Sequence, residues 1–275
     1  RNRVNYQEQV TVMIRVDSLV KDFGSFRAVD GLSFTVPAGT IFALLGPNGA
    51  GKSTTIKMLT STLKPTSGSI LLNGHDPIRE PLATRRSFGI VFQDASLDQE
   101  LTAYENLELH AVFYSVPNKE RAARIEQFLK FVELWDRRDN RVKTFSGGMK
   151  RRLEIARGLL HTPKVLFLDE PTLGLDPQTR NHIWSYVQRV VKEQGMTVLF
   201  TTHYMDEADR VADEIAIVDH GKIVARGTAQ SLKDSTGAVT LEEAFIALTG
   251  HAIRDEEAST QQRMRDFSKV WAKRR

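Results

Sequence analysis

Cysteine is absent from the 275 residues, which excludes disulfides and thiolate metal sites outright and is compatible with a reducing compartment without requiring one. No apolar run approaches the roughly 20 residues needed to cross a bilayer. The first residues, Arg1 to Gln9, are polar and carry no signal-peptide core. Work at a membrane would therefore be done from its side. Charge of one sign is also scarce: 38 Lys and Arg against 34 Asp and Glu leave a formal +4, too weak by itself to argue for nucleic acid despite a pI near 9.3. There is no internal repeat and no sustained heptad pattern. A hydrophobic fraction of 41% and a charged fraction of 26% place the chain among folded globular proteins, long enough for one large domain or a domain with a small appendage. The absence of an initiating Met predicts further residues before Arg1.

Hydrophobic patterning divides the chain into three stretches. From about Val12 to Gln93, short apolar runs at Val12–Val16, Leu32–Val36, Thr40–Leu45, Ile70–Leu72 and Gly89–Phe92 alternate with turn signals, which predicts β-rich structure. From about Thr102 to Leu160 the strand signals vanish. Tyr104–Phe113 and Lys119–Leu134 carry apolar residues at helical spacing, so a helical insertion is expected. From Val165 onward strand and helix alternate: strands at Val165–Leu168, Thr197–Thr201 and Glu214–Val218, helices near Thr179–Glu193 and Met205–Val211. That alternation predicts an α/β fold with a mostly parallel sheet.

The chemistry begins at residues 46–53. Gly46-Pro47-Asn48-Gly49-Ala50-Gly51-Lys52-Ser53 is a complete phosphate-binding loop, preceded by a strand-length apolar run and followed from Thr54 by a helical stretch. Gly46, Gly49 and Gly51 let the backbone wrap an anion with its N–H groups pointing inward. Lys52 supplies a point charge for the β- and γ-phosphates, the Ser53 hydroxyl is placed for Mg²⁺, and the helix N-terminus faces the phosphates. The residues therefore point to a nucleoside triphosphate.

Two further motifs extend this reading. The apolar run Val165–Leu168 ends in Asp169 and Glu170, placing two carboxylates at the C-terminal rim of a parallel sheet, where ligands of such sheets bind. Asp169 suits Mg²⁺, held through a water, and Glu170 suits the general base that polarises the attacking water; capping of the next helix is the plainer alternative. Ser146 then caps a helix whose first residues, Gly147 and Gly148, leave the N-terminal N–H groups uncovered by side chains. One nucleotide does not need two such cradles, so this second anion site is expected to face a nucleotide held by another copy of the chain.

The combination of phosphate loop, Ser-Gly-Gly helix start, Asp-Glu strand and a later strand ending in Thr-Thr-His203 resembles the ATP-binding subunits of ABC transporters, over about Val12 to Gly250. The resemblance implies a P-loop NTPase core of mixed or parallel sheet with helices, an N-terminal antiparallel β-subdomain and an inserted α-helical subdomain at about 94–160, within an ATPase domain spanning 12–250. It implies ATP and Mg²⁺ as ligands, with Ser53, Gln93 and Asp169 around the metal. A head-to-tail pair of ATP-binding subunits would close on two ATP molecules, acting on a separate transmembrane permease from the cytoplasmic face of the membrane, with no nucleic acid partner. By the same resemblance, Phe23 stacks on adenine, with Phe26 a close rival. Gln93 senses the metal and the attacking water and couples to the membrane partner. Ser146 and Gly148 reach the γ-phosphate across the dimer, Asp176 lies in the loop crossing that interface, and His203 grips the γ-phosphate.

Met149 and Leu173 depart from the commoner Gln and Ser of the family, but neither position supplies charge to phosphates. Ser146-Gly-Gly-Met149 with its basic continuation, Gly174–Arg180, Thr202–Ala208 and Leu241–Gly250 together look like the daunorubicin-resistance branch of exporter ATPases, whose membrane subunits are separate chains. The alternative is a soluble ABC ATPase that remodels nucleic acid or ribosomes; its members generally carry two such domains or a long inserted coiled coil, and this chain has neither. The basic tail 251–275 places Met264, Phe267 and Trp271 at helical spacing, read as a helix packing on the domain in preference to one lying on a membrane surface.

Overall fold

A computed structural model describes residues 11–94 and 96–250. The strands are β1 (Val12–Phe23), β2 (Phe26–Pro37), β3 (Ile41–Leu45), β4 (Ser67–Leu72), β5 (Phe88–Val91), β6 (Val165–Asp169), β7 (Thr197–Thr202), β8 (Glu214–Asp219) and β9 (Lys222–Gly227). The helices are α1 (Lys52–Leu59), α2 (Pro81–Ser87), α3 (Ala103–Phe113), α4 (Asn118–Phe131), α5 (Gly147–Leu159), α6 (Pro177–Gln194), α7 (Met205–Val211), α8 (Ala229–Thr236) and α9 (Leu241–Thr249).

Among the described residues there are two sheets. The smaller is antiparallel, in the order β2-β1-β4; the larger runs β5-β6-β7-β3-β8-β9, with the first five strands parallel and β9 antiparallel to β8. The sequences explain the difference. β3 and β6 are short apolar runs and β7 reads Thr-Val-Leu-Phe-Thr-Thr; every residue in all three is buried, as a parallel strand covered on both faces requires. β1 and β4 instead alternate buried and exposed positions, with one face toward a core and one toward water.

The smaller sheet lies over one face of the larger. Ile14, Val16, Leu19 and Phe34 meet Phe42, Leu44, Phe167 and Leu199 in one core, with the rings of Phe34 and Phe42 stacked at 5.4 Å and α1 contributing Ile56, Met58 and Leu59. The other face carries helices. Leu153 and Ile155 of α5 and Trp184, Val187 and Val190 of α6 pack with Leu166, Val198 and Phe200, and Trp184 meets Phe200 edge-on at 4.6 Å. Gly89 on β5 has no side chain because α5 leaves no room for one: a Cβ there would run into the Gly158 carbonyl. That close approach seats α5 against the strand leading to Gln93.

The expected strands and helices all appear, with β1 and β2 running several residues beyond their apolar cores because the hairpin between them is tight. Four elements went unpredicted. α2 has seven residues, too few to display a period; β9, α8 and α9 are short and follow the last strand-length apolar run. No helix among the described residues is long and apolar enough to cross a membrane. The expected basic tail helix lies outside the described residues.

Between α3 and the end of α5, Tyr114 is sandwiched by two imidazoles, with ring centroids 4.4 Å from His110 and 4.0 Å from His161. Burial, with the Arg157 guanidinium nearby, pushes His110 down to about 3. Burial likewise holds His161 at about 4, though its Nε2 bonds the Phe88 carbonyl. Both rings are neutral when folded and take up protons near pH 6.5 when unfolded. Their contribution to stability is therefore complete above about pH 6.5 and is lost as pH falls toward their folded values. Between pH 6.5 and 5 each ring should cost about 2 kcal/mol of stability. Thermal melts across that window should show the melting temperature dropping with acidity, and His110→Phe with His161→Gln should flatten the slope. A wild-type melting temperature level from pH 7 to 5 contradicts this.

Candidate active site

The phosphate loop connects β3 to α1. Gly51 precedes α1 at φ 99°, and no side chain caps the helix, so the first-turn N–H groups face outward for an anion. A Cβ at Gly46 would strike the Val218 carbonyl, and one at Gly51 would lie 2.5 Å from the Ala28 carbonyl oxygen. Glycine is thus enforced at both positions by neighbouring backbone as well as by the conformation needed to wrap a phosphate. The loop borders an open cleft of about 220 Å³ lined by Asn48, Gly49, Lys52, Ser53 and Thr54, with Gln93 and Glu170 on one side and Phe23 and Phe26 on another.

Lys52 is buried. Its Nζ donates to the carbonyls of Gly46 (2.6 Å) and Pro47 (2.9 Å) and sits 3.4 Å from Glu170 Oε1. The Ser53 hydroxyl donates to Asp169 Oδ1 at 2.9 Å, and Thr201 Oγ1 donates to the same oxygen at 2.6 Å. Thr201 is the penultimate residue of β7, the strand beside β6, and it also receives the Glu170 amide through both its carbonyl and its hydroxyl. Glu170 turns left-handed at φ 48°, unusual for a residue with a side chain, just where β6 ends. Such a conformation is held only where surrounding structure over-determines it.

The two Glu170 oxygens have different partners: Oε1 faces Lys52, and Oε2 lies 3.0 Å from His203 Nδ1. Burial pushes the Glu170 carboxyl up. The His203 hydrogen bond and the Lys52 charge outweigh it, leaving the carboxyl below its ordinary value. Glu170 is therefore ionised at neutral pH, in a dry position beside the phosphate loop. Chemically, a carboxylate held between a cation and an imidazole at the rim of an anion cradle can orient a water and accept its proton.

Phe23 and Phe26 are partners across the β1–β2 hairpin, both exposed and both facing the cleft, with Lys21 Nζ 5.1 Å from the Phe23 ring centre. The geometry brings both rivals for a stacking role to one wall. Ala50 is buried, its carbonyl accepting from the Gly221 amide. Ser146, Gly147, Gly148 and Asp176 do not line this cleft; they form a second cluster. Ser146 caps α5 by accepting from the Met149 amide, and Asp176 caps α6 through the amide and hydroxyl of Thr179. A Cβ on Gly148 would lie 2.6 Å from Thr179 Cγ2, and one on Gly147 would touch Leu175. The Ser-Gly-Gly start is thus fitted against the loop that carries Asp176.

Sequence reading missed three supports. Thr201 was visible only as part of Thr-Thr-His203. Glu207, on the helix after His203, is buried and accepts from Thr172 Oγ1 at 2.8 Å, joining the loop after Glu170 to that helix. Arg151 is buried five residues beyond Ser146; in the run Lys150-Arg151-Arg152 it reads as surface charge.

A phosphate loop, a sheet-edge Asp and Glu, and an imidazole on the Glu define a nucleoside-triphosphate hydrolase of the P-loop class. The ABC transporter family pattern matches residues 29–173. The chain is 47% identical over 233 residues to the daunorubicin/doxorubicin resistance ATP-binding protein of Streptomyces peucetius, covering 85% of this chain and 70% of that one. Among solved structures, an ATP-binding subunit of an ABC transporter shares 31% identity with a TM-score of 0.78, over 86% of this chain and 99% of that one. A dimeric ATP-binding cassette bound to ADP and phosphate shares 28% identity with a TM-score of 0.71, over 78% of this chain and 98% of that one. The chain belongs to the ABC transporter family, as one of its ATP-binding, ATP-hydrolysing subunits.

Proposed function

We propose that this subunit powers export through a separate transmembrane permease, working as a head-to-tail dimer at the cytoplasmic face of the membrane. The observation that carries the hydrolytic part is the placement of Glu170: both carboxylate oxygens are held, one by Lys52 and one by His203, beside the phosphate loop. In this reading the loop amides and Lys52 bind the phosphates, and Phe23 or Phe26 stacks on adenine. Glu170 orients the attacking water and takes its proton, while His203 steadies the carboxylate and the γ-phosphate.

Mg²⁺ fits the residues present. Ser53 Oγ and Asp169 Oδ1 already meet at the rim of the loop, Gln93 borders the same cleft, and all three offer the hard oxygen donors this ion takes. When bound, the ion would neutralise charge on the phosphate oxygens. Ser53 and Gln93 would contact it, with Asp169 acting through a water.

Dimerisation is supported by the second cluster. The capped, glycine-started helix α5 is an anion site outside the cleft of its own chain, beside Asp176, and a nucleotide held by a second copy would supply its anion. The solved dimeric cassette favours the same arrangement. Export is favoured by the resistance protein of S. peucetius. We place the ATPase domain at 12–250, with the helical insertion at about 94–160 passing the closing motion to the permease. Co-purification from gently solubilised membranes, with and without ATP, tests the assignment: a stoichiometric polytopic membrane protein is expected. Recovery with ribosomes or DNA in the soluble fraction alone overturns it.

A further inference from the structure

The side chains of Arg151, Glu154 and Arg157 leave α5 on one face, three residues apart, and all are directed at the segment after β5. Arg157 donates to Ser96 through its carbonyl (2.7 Å) and hydroxyl (2.6 Å), and Glu154 Oε1 accepts the Ser96 amide at 2.8 Å. Arg151 reaches further. One guanidinium nitrogen donates to the Phe92 carbonyl and to Glu154 Oε2 at 3.0 Å; the other donates at 3.3 Å to the carbonyls of Gln93 and Glu170. Arg151 and Glu154 are both buried. Burying an ion pair carries a desolvation cost that the pair alone does not reliably offset, so this placement is weakly explained by stability. What distinguishes it is connectivity. A planar fork with several donors binds three backbone carbonyls from two loops at once, which a lysine ammonium on its flexible stem cannot reproduce.

The residues joined are those on which hydrolysis turns. Gln93 borders the nucleotide cleft, Glu170 supplies the carboxylate and holds a left-handed backbone, and α5 begins at Ser146–Gly148. We infer that Arg151 is a positioning residue for hydrolysis: its guanidinium locks the helix carrying Ser146–Gly148 to the Gln93 loop and to the backbone of Glu170. The three then move as one unit. This rests on the roles proposed above for those residues. In a dimer it would tie the nucleotide held by a chain's own loop to the nucleotide its α5 meets on the partner.

The full-length chain serves for the test, as Arg151→Met, Arg151→Lys and Arg151→Met with Glu154→Gln. The double variant removes the orphaned carboxylate, and its melting temperature should lie close to wild type. Its kcat for ATP should nevertheless fall at least tenfold with KM within threefold, because the phosphate loop is untouched. Arg151→Lys should recover only part of the rate. A double variant with wild-type kcat, or full rescue by lysine, overturns the inference. Amide hydrogen exchange reads the link independently of turnover: residues 92–94 and 170–173 should exchange at least tenfold faster in the double variant, and unchanged exchange also overturns it. A wild-type chain that hydrolyses no ATP would instead fail the proposed function, leaving the exchange measurement to decide the link.

Discussion

Glu170→Gln lowers ATP turnover by two to four orders of magnitude while ATP affinity stays within a few fold of wild type. The size follows from removing a positioned proton acceptor, worth about 10²–10⁴ in rate. The preservation of binding follows from geometry: the phosphates meet the loop amides and Lys52, and an amide at position 170 can turn its oxygen to Lys52 and donate its NH2 to the His203 imidazole. Binding should in fact tighten slightly, because the isosteric amide removes a negative charge beside the γ-phosphate site. With hydrolysis blocked and binding intact, the ATP-bound dimer should accumulate, visible as a doubled mass in light scattering on addition of Mg²⁺-ATP. A Glu170→Gln variant with normal turnover would remove Glu170 from the role of base. His203→Gln separates the two neighbours: it should slow turnover less than Glu170→Gln, since the carboxyl itself and the Lys52 ammonium facing it remain, and the Thr201 contacts keep the Glu170 backbone in place.

Much of the site was legible because its chemistry uses residue types that local sequence cannot hide. A glycine-rich loop between an apolar run and a helix has few other uses, and two carboxylates ending a buried strand are conspicuous for the cost of burying them. The buried strands read directly for the same reason, since a parallel sheet covered on both faces permits no polar alternation. Long-range pairing was not legible. That Thr201 would hydrogen-bond Asp169, or that Arg151 would cross from α5 to carbonyls some 20 and 60 residues away, depends on strand order and helix seating. An arginine in a basic run looks solvated until the fold buries it. Phe23 and Phe26 show another limit: the hairpin places both on one wall, where sequence had to choose.

Lys52→Ala carries the largest expected effect on binding, and it separates two jobs of one side chain. Charge-assisted hydrogen bonds contribute roughly 1.5–3 kcal/mol each, so losing the ammonium from two phosphates should weaken ATP affinity by at least about a hundredfold. Titration with a fluorescent ATP analogue would measure it. The second job is internal. Without Lys52, Glu170 keeps His203 but loses the cation facing Oε1, and burial then dominates its carboxyl. Breaking a buried ion pair costs up to about 3–5 kcal/mol, and the remaining His203 contact places this site toward the lower end, a fall of roughly 6–12 °C in melting temperature. Adding Glu170→Gln to Lys52→Ala removes the uncompensated charge, so the double variant should melt higher than Lys52→Ala alone while binding ATP no better. That non-additivity is the signature of direct coupling between the two side chains. Additive losses in stability would mean that Lys52 and Glu170 do not interact in solution, and that the ionised state of Glu170 depends on His203 alone.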